Sequence, residues 1–107
     1  MKAIDLVSGH LESVAHLSRE LADKRIELIE HIYHLQEFGS FGLVLCRGRD
    51  QLKFSWDGRE EILSVSFAKV LDQSAVPSWT HDADFSLPKG DGVYAEIASQ
   101  SVDMLAI

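Results

Sequence analysis

Between Ile4 and Leu35 the apolar positions fall three and four residues apart: Ile4, Val7, Leu11, Val14, Leu21, Leu28, Ile32 and Leu35. That spacing predicts one long helix with a seven-residue rhythm, and no proline breaks it. Gly9 is its weak point, costing about 1 kcal/mol against alanine inside a helix, unless Ser8 caps a helix that begins there. Phe38-Gly39 supplies the stop, because glycine readily takes the left-handed conformation that ends helices. At 100° per residue the apolar side chains fill an arc of roughly 200°, wider than the stripe of a surface helix. One sheet face does not cover such an arc, and the chain shows no second long helical run. The expected cover is the same helix of a second subunit. This predicts a homodimer with Val7, Leu11, Val14, Leu21, Arg25, Leu28 and Ile32 at the interface. Ser18 and Arg25 interrupt the arc; Arg25 either snorkels to water or fixes the register of paired helices.

After Gly42 the period changes from 3.6 to 2. Residues 43–47 read as a strand, and residues 52–56 and 61–67 alternate as two more, giving an antiparallel meander with one apolar face for the helix to cover. Asp57-Gly58 predicts a two-residue hairpin turn, which needs the positive φ that glycine supplies. Residues 72–78 read as loop, and Pro77 excludes a central strand there. Residues 85–87 and 93–97 flank the turn-rich run Pro88-Lys89-Gly90-Asp91-Gly92, which predicts a further hairpin. Residues 99–107 fit either a short C-terminal helix or a frayed end. The expected fold is one α+β domain over residues 1–107: a long N-terminal helix on a meander of about four to five strands.

Composition adds bounds. With 107 residues, 46% hydrophobic and 25% charged, the chain is an ordinary globular domain rather than a disordered or low-complexity one. A single cysteine, Cys46, excludes an internal disulfide framework and a Cys-rich zinc module. It lies in a predicted strand without the neighbours that activate a thiolate, and reads as a small buried hydrophobe. Asp5 interrupts any apolar run of signal length at the N-terminus. The longest apolar stretch, residues 43–46, is far short of the ~20 residues of a membrane span. The expectation is a cytoplasmic protein that does not contact membrane.

Charge is unevenly shared. The net −7 divides into −3 over residues 1–40, +1 over residues 41–71 and −5 over residues 72–107, where Lys89 is the lone base. A basic protein partner is the natural complement of such a tail.

Candidate chemistry is sparse. His31 and His34 lie three apart with Glu27 and Glu30 one turn earlier, and His16 joins them on the predicted polar face with Glu12, Glu20 and Asp23. Carboxylate–imidazole spacings of this kind are ordinary helix support, and no metal ligand is expected. The run Ser78-Trp79-Thr80-His81-Asp82-Ala83-Asp84 holds the densest reactive side chains, with Trp79, His81, Asp82 and Asp84 as binding candidates. A small enzyme or a ligand- or metal-binding site around His81, Asp82 and Asp84 is the competing reading. Catalytic triads, however, are assembled from distant segments, and such a loop is ordinarily solvated. There is no phosphate-binding glycine loop. The hairpin Arg47-Gly48-Arg49, with Lys53, Arg59 and Trp56 nearby, is the one basic patch that would suit a nucleic acid. The negative net charge opposes it.

No catalytic residue and no cofactor is therefore expected. The order of long helix, meander and acidic tail resembles that of small acidic dimeric adaptors such as secretion chaperones. What remains is a non-enzymatic, homodimeric protein-binding or adaptor module.

Overall fold

The computed structural model describes residues 3–70 and 77–105, with side chains from Val7 onward. Helix α1 (Ala3–Ala22) leads into strand β1 (Glu27–His34), followed by β2 (Ser40–Arg47), β3 (Asp50–Asp57), β4 (Ile62–Lys69), β5 (Thr80–Ser86) and helix α2 (Asp91–Leu105). The strands form one antiparallel sheet in sequence order, β1-β2-β3-β4-β5. The α+β class and the meander expected from the periodicity are what the chain adopts.

The N-terminal helix is shorter than the apolar spacing implies, ending at Ala22 rather than near Leu35. Ile26 N–H donates to Leu21 O (3.1 Å) and Arg25 N–H to Ala22 O (3.0 Å), while Arg25 sits at φ 61°. This is the Schellman closure of a helix, with an arginine where glycine is usual. Ile26 and Leu21, the apolar pair that accompanies it, are both buried in the core. Arg25 is therefore an exposed turn residue, not a member of a helix-pairing surface. Leu28 and Ile32 belong to β1, in which Leu28 packs against the core and Ile32 is 46% exposed.

The second correction concerns the C-terminal third. Residues 93–97 are helical, not a strand of a hairpin. Val93, Ile97, Ser101 and Leu105, four apart, form the buried face of α2. Ser101 is buried without an orphaned hydroxyl because its Oγ donates to Ile97 O at 2.7 Å. Arg47 Nη1 donates to Leu105 O (2.9 Å), so a cation closes the carbonyl end of the helix. Half of the basic hairpin considered for nucleic acid is thereby committed to a structural bond.

Both helices lie on one side of the sheet: α1 packs on β1, α2 on β2 and β3, and the two pack on each other. Leu43, Leu45, Leu52, Phe54, Leu63 and Val65 are the fully buried floor beneath them. The second helix needed to cover the wide apolar arc is thus α2, from the same chain. Of the residues expected to pair two subunits, Val14 and Leu21 lie in the chain's own core, Val7 is half-buried and Leu11 is exposed. Together with Leu28, Ile32 and Arg25 they present no single face.

Turn chemistry also departs from expectation at Asp57-Gly58. Asp57 pairs with Ile62, so the connection has four residues, and its positive φ falls on Glu61. Asp57 Oδ1 accepts from Arg59 N–H and Glu60 N–H, an Asx-type turn. Gly58 is required for a different reason: a Cβ there would overlap the carbonyl of Phe38. Among the described residues, no helix is long and apolar enough to cross a membrane.

Candidate binding groove between the two helices

Of the residues singled out at 78–84, those from Thr80 onward belong to a strand rather than a loop. Thr80–Ser86 forms β5, with Asp84 paired to Ser64 and His81 to Ser66. His81 Nε2 lies 2.8 Å from Asp84 Oδ1, both side chains exposed. Hydrogen bonds from His81 and then Ser64 hold the Asp84 carboxyl below its ordinary pKa. Asp82 is exposed. Trp79 precedes the strand, with the Lys53 ammonium 5.6 Å from its ring centroid, and it borders a hollow of about 100 Å³ with Ile32 and Val44. Among the described residues no three His, Cys, Asp or Glu side chains converge as a metal site. Cys46 is half-buried, and burial, then the charge of Glu27, pushes its thiol pKa up, away from nucleophilic character.

His31 and His34 do not share a surface, because residues three apart on a strand face opposite ways. His34 is exposed near Glu37 (3.9 Å), whereas His31 turns under α1 and meets His10. His10 is 6% exposed, with its Nε2 2.7 Å from His31 Nε2 and its Nδ1 2.7 Å from the Tyr94 hydroxyl of α2. Its ring stacks on Tyr33 (centroids 4.0 Å apart, 17° between planes) and tilts against Phe41 (4.7 Å). One proton serves the imidazole–imidazole bond, so a neutral pair completes the Tyr94–His10–His31 chain in either direction. No buried side-chain polar atom among the described residues lacks a partner. Burial, then the neighbouring His31, pushes the His10 pKa down to about 4, and burial lowers His31 as well. Burial, then Tyr33 and Asp91, raises Tyr94 to about 12. His10 was legible after all: His10, Val14, Leu17 and Leu21 continue one 4-3-4 spacing, the buried stripe of α1. Only the apolar members of that stripe attract notice in a hydropathy reading.

Between α1 and α2 the surface opens into a groove of about 730 Å³. Its floor and walls are Leu17, Tyr94, Ala95, Ala98 and Val102; its rim carries Glu12 and Glu20 from α1 and Asp91 and Asp103 from α2. Among the described residues no Lys or Arg lines it, and His16, near Glu20 (3.9 Å), is the sole basic side chain there. The alanines of α2 keep that wall low, which leaves the apolar floor accessible. Sequence reasoning placed Glu12, Glu20 and His16 correctly on a polar face of α1. It reaches the α2 half only in part: a short helix is one reading of residues 99–107, which hold Ser99, Val102 and Asp103, whereas residues 93–97 read as a strand.

A second hollow, of about 660 Å³, adjoins the groove and shares Ser13, Asp91 and Tyr94 with it. Its interior is aromatic, formed by Tyr33, Phe41, Trp56 and Tyr94 together with His10. Gly9, Gly39 and Gly90 lie around it, and Lys89 is at its edge with Nζ 3.2 Å from Phe38 O. No family model, no curated protein and no solved structure matches this chain.

Proposed function

We propose that the protein is a non-enzymatic binding module that receives a basic amphipathic helical segment of another protein in the groove between α1 and α2. The observation that carries this reading is the lining: among the described residues, an apolar floor framed on both sides by four carboxylates and by no Lys or Arg. A helix laid into such a groove buries its apolar stripe on the half-buried Tyr94, Ala98 and Val102 and presents flanking Lys or Arg to Glu12, Glu20, Asp91 and Asp103. Burial of the stripe supplies most of the affinity, at about 25 cal/mol per Å² of apolar surface. The carboxylates select the charge and orientation of the partner and speed its encounter. The −5 over residues 72–107 thus takes a local form, since Asp91 and Asp103 come from that third. A reducing compartment such as the cytoplasm suits a chain with one unpaired cysteine.

Pairing of two copies through α1 is not part of this proposal, because α2 covers the flank that pairing was to fill. A second copy is one outcome that the following test separates. The ¹⁵N-labelled protein is titrated with an 18-residue Leu/Lys amphipathic peptide and with its Leu/Glu counterpart. The reading predicts that the Lys peptide shifts amides across residues 12–20 and 91–103, while the Glu peptide shifts few. Equal response to both peptides, or shifts centred on the open sheet face at Lys53 and Ser64, contradicts it. Dilution-dependent shifts of the same groove amides in the protein alone contradict it as well, by assigning the groove to a second copy.

A further inference from the structure

The aromatic hollow beside the groove has an unusual rim, and Gly9 is its informative member. Gly9 lies inside α1, where glycine costs about 1 kcal/mol relative to alanine. Among the described residues a Cβ at Gly9 meets no atom within 4 Å, and its φ is an ordinary one. Gly9 borders the hollow and places no side chain at that part of its edge. Behind that edge, Phe41 and Tyr94 stack nearly parallel, with centroids 5.4 Å apart, and His10 leans against both. Trp56, 4% exposed, contributes the deep wall, while Lys89 stands at the edge. Phe41, Trp56 and His10 are buried, and the half-buried Tyr33 and Tyr94 are the rings that still face the volume of about 660 Å³, offering edge-to-face partners to another ring while the Lys89 ammonium adds a cation–π partner.

We infer that this hollow is the anchor pocket of the same interface, receiving one aromatic side chain at the end of the basic helix that occupies the groove. The inference rests on the groove reading above and adds to it. Continuity supports it: Ser13, Asp91 and Tyr94 form the wall between the two hollows, so a segment lying in the groove ends at the pocket mouth. Binding energy at interfaces concentrates in such desolvated aromatic contacts, surrounded by weaker ones.

The test compares two Leu/Lys peptides, one ending in Trp and one with Trp→Ala, against the full chain and against Gly9→Phe. That substitution sets a ring in the pocket mouth while removing a helix-interior glycine, so the variant folds. The expected result is about tenfold tighter binding of the Trp peptide, with shifts at Tyr33, Gly39 and Phe41 that the Ala peptide lacks. In Gly9→Phe the tenfold advantage disappears while the groove shifts persist. N-acetyltryptophanamide alone, at millimolar concentration, shifts the same three amides. If both peptides bind the groove equally and the pocket amides stay still, the anchor inference fails and the groove reading stands. If neither peptide touches the groove, the groove reading fails. In that case the amide compound decides whether the pocket accepts a ring at all, and its silence overturns the anchor too.

Discussion

At the scale of single residues, two positions carry consequences that a measurement can reach. Arg25 holds a left-handed conformation (φ 61°) that L-residues adopt at a cost and glycine adopts freely. Arg25→Gly keeps both closing hydrogen bonds of α1 and relieves that cost, so it should stabilise the fold by about 0.5–1 kcal/mol. Urea denaturation of the variant checks this; a loss of stability would mean that the guanidinium makes a contact worth more than the strain. His10 governs a pH dependence. In the unfolded chain its imidazole takes a proton near pH 6.5, whereas in the fold it does so only near about 4. Between those values the unfolded state holds more protons, so stability is full above about pH 6.5 and declines as the pH falls toward 4. The decline amounts to at most about 3 kcal/mol from His10, and His31 adds to it in the same direction. His10→Phe preserves the stacking on Tyr33 and Phe41 but leaves the Tyr94 hydroxyl without its partner. Its stability at neutral pH should therefore be lower and its slope between pH 6.5 and 4.5 much flatter than that of the natural chain. Parallel curves for the two proteins would remove His10 as the source.

The elements show where sequence reasoning succeeds and where it is misled. Strands β3 and β4 were legible because Leu52, Phe54 and Trp56, and Leu63 and Val65, alternate strictly between a buried and a polar face, and β2 because Leu43-Val44-Leu45 is a short continuous apolar run. β1 was not, for a geometrical reason. Leu21 closes α1 and Leu28 enters β1, and their seven-residue separation mimics two helical turns across a chain reversal that no glycine announces. The bulge between Leu28 and Glu30 then disrupts the alternation that would have marked a strand. The α2 face was obscured by Ser101, a polar side chain satisfied within its own helix, and by the glycines and proline that precede it. The candidate site inherits these errors: its α1 half was visible as a polar face, while of its α2 half only residues 99–103 fell within a segment legible as a possible helix. The hairpin after β3 supplies a test at this scale. Gly58→Ala forces the Phe38 carbonyl and the connection between β1 and β2 to move, at a cost of about 1–3 kcal/mol. The Gly58 N–H bond to Ser40 Oγ (2.9 Å) is strained by the same movement. Thermal unfolding would register this as a clear drop in Tm. An unchanged Tm would show that the two connections are not in register contact.

For the whole molecule, the sheet has one face roofed by two helices and one face open, and four of the 17 carboxylates behind the net charge of −7 frame a cleft between those helices. The carboxylates at that cleft are exposed and individually weak, and salt screens them over about 8–10 Å at ordinary ionic strength. Affinity for a basic segment should therefore fall with added salt but not vanish, because the apolar floor remains. Glu12→Lys with Asp103→Lys should weaken a Leu/Lys peptide at least tenfold and leave the fold's stability within about 0.5 kcal/mol, as these are surface positions. Isothermal titration with a parallel melt separates the two effects. The central claim, that the groove between α1 and α2 is where a basic protein segment docks, is tested most directly by photocrosslinking in the native cell. A benzophenone amino acid is placed at Ala98 in the groove, or at Ser55 on the open sheet face. The account predicts a covalent product at Ala98 with another protein, joined through a segment in which Lys or Arg alternate with apolar residues at helical spacing, and none at Ser55. Crosslinks from Ala98 only to a second copy of the chain, or a heterologous partner captured from Ser55 alone, would contradict it.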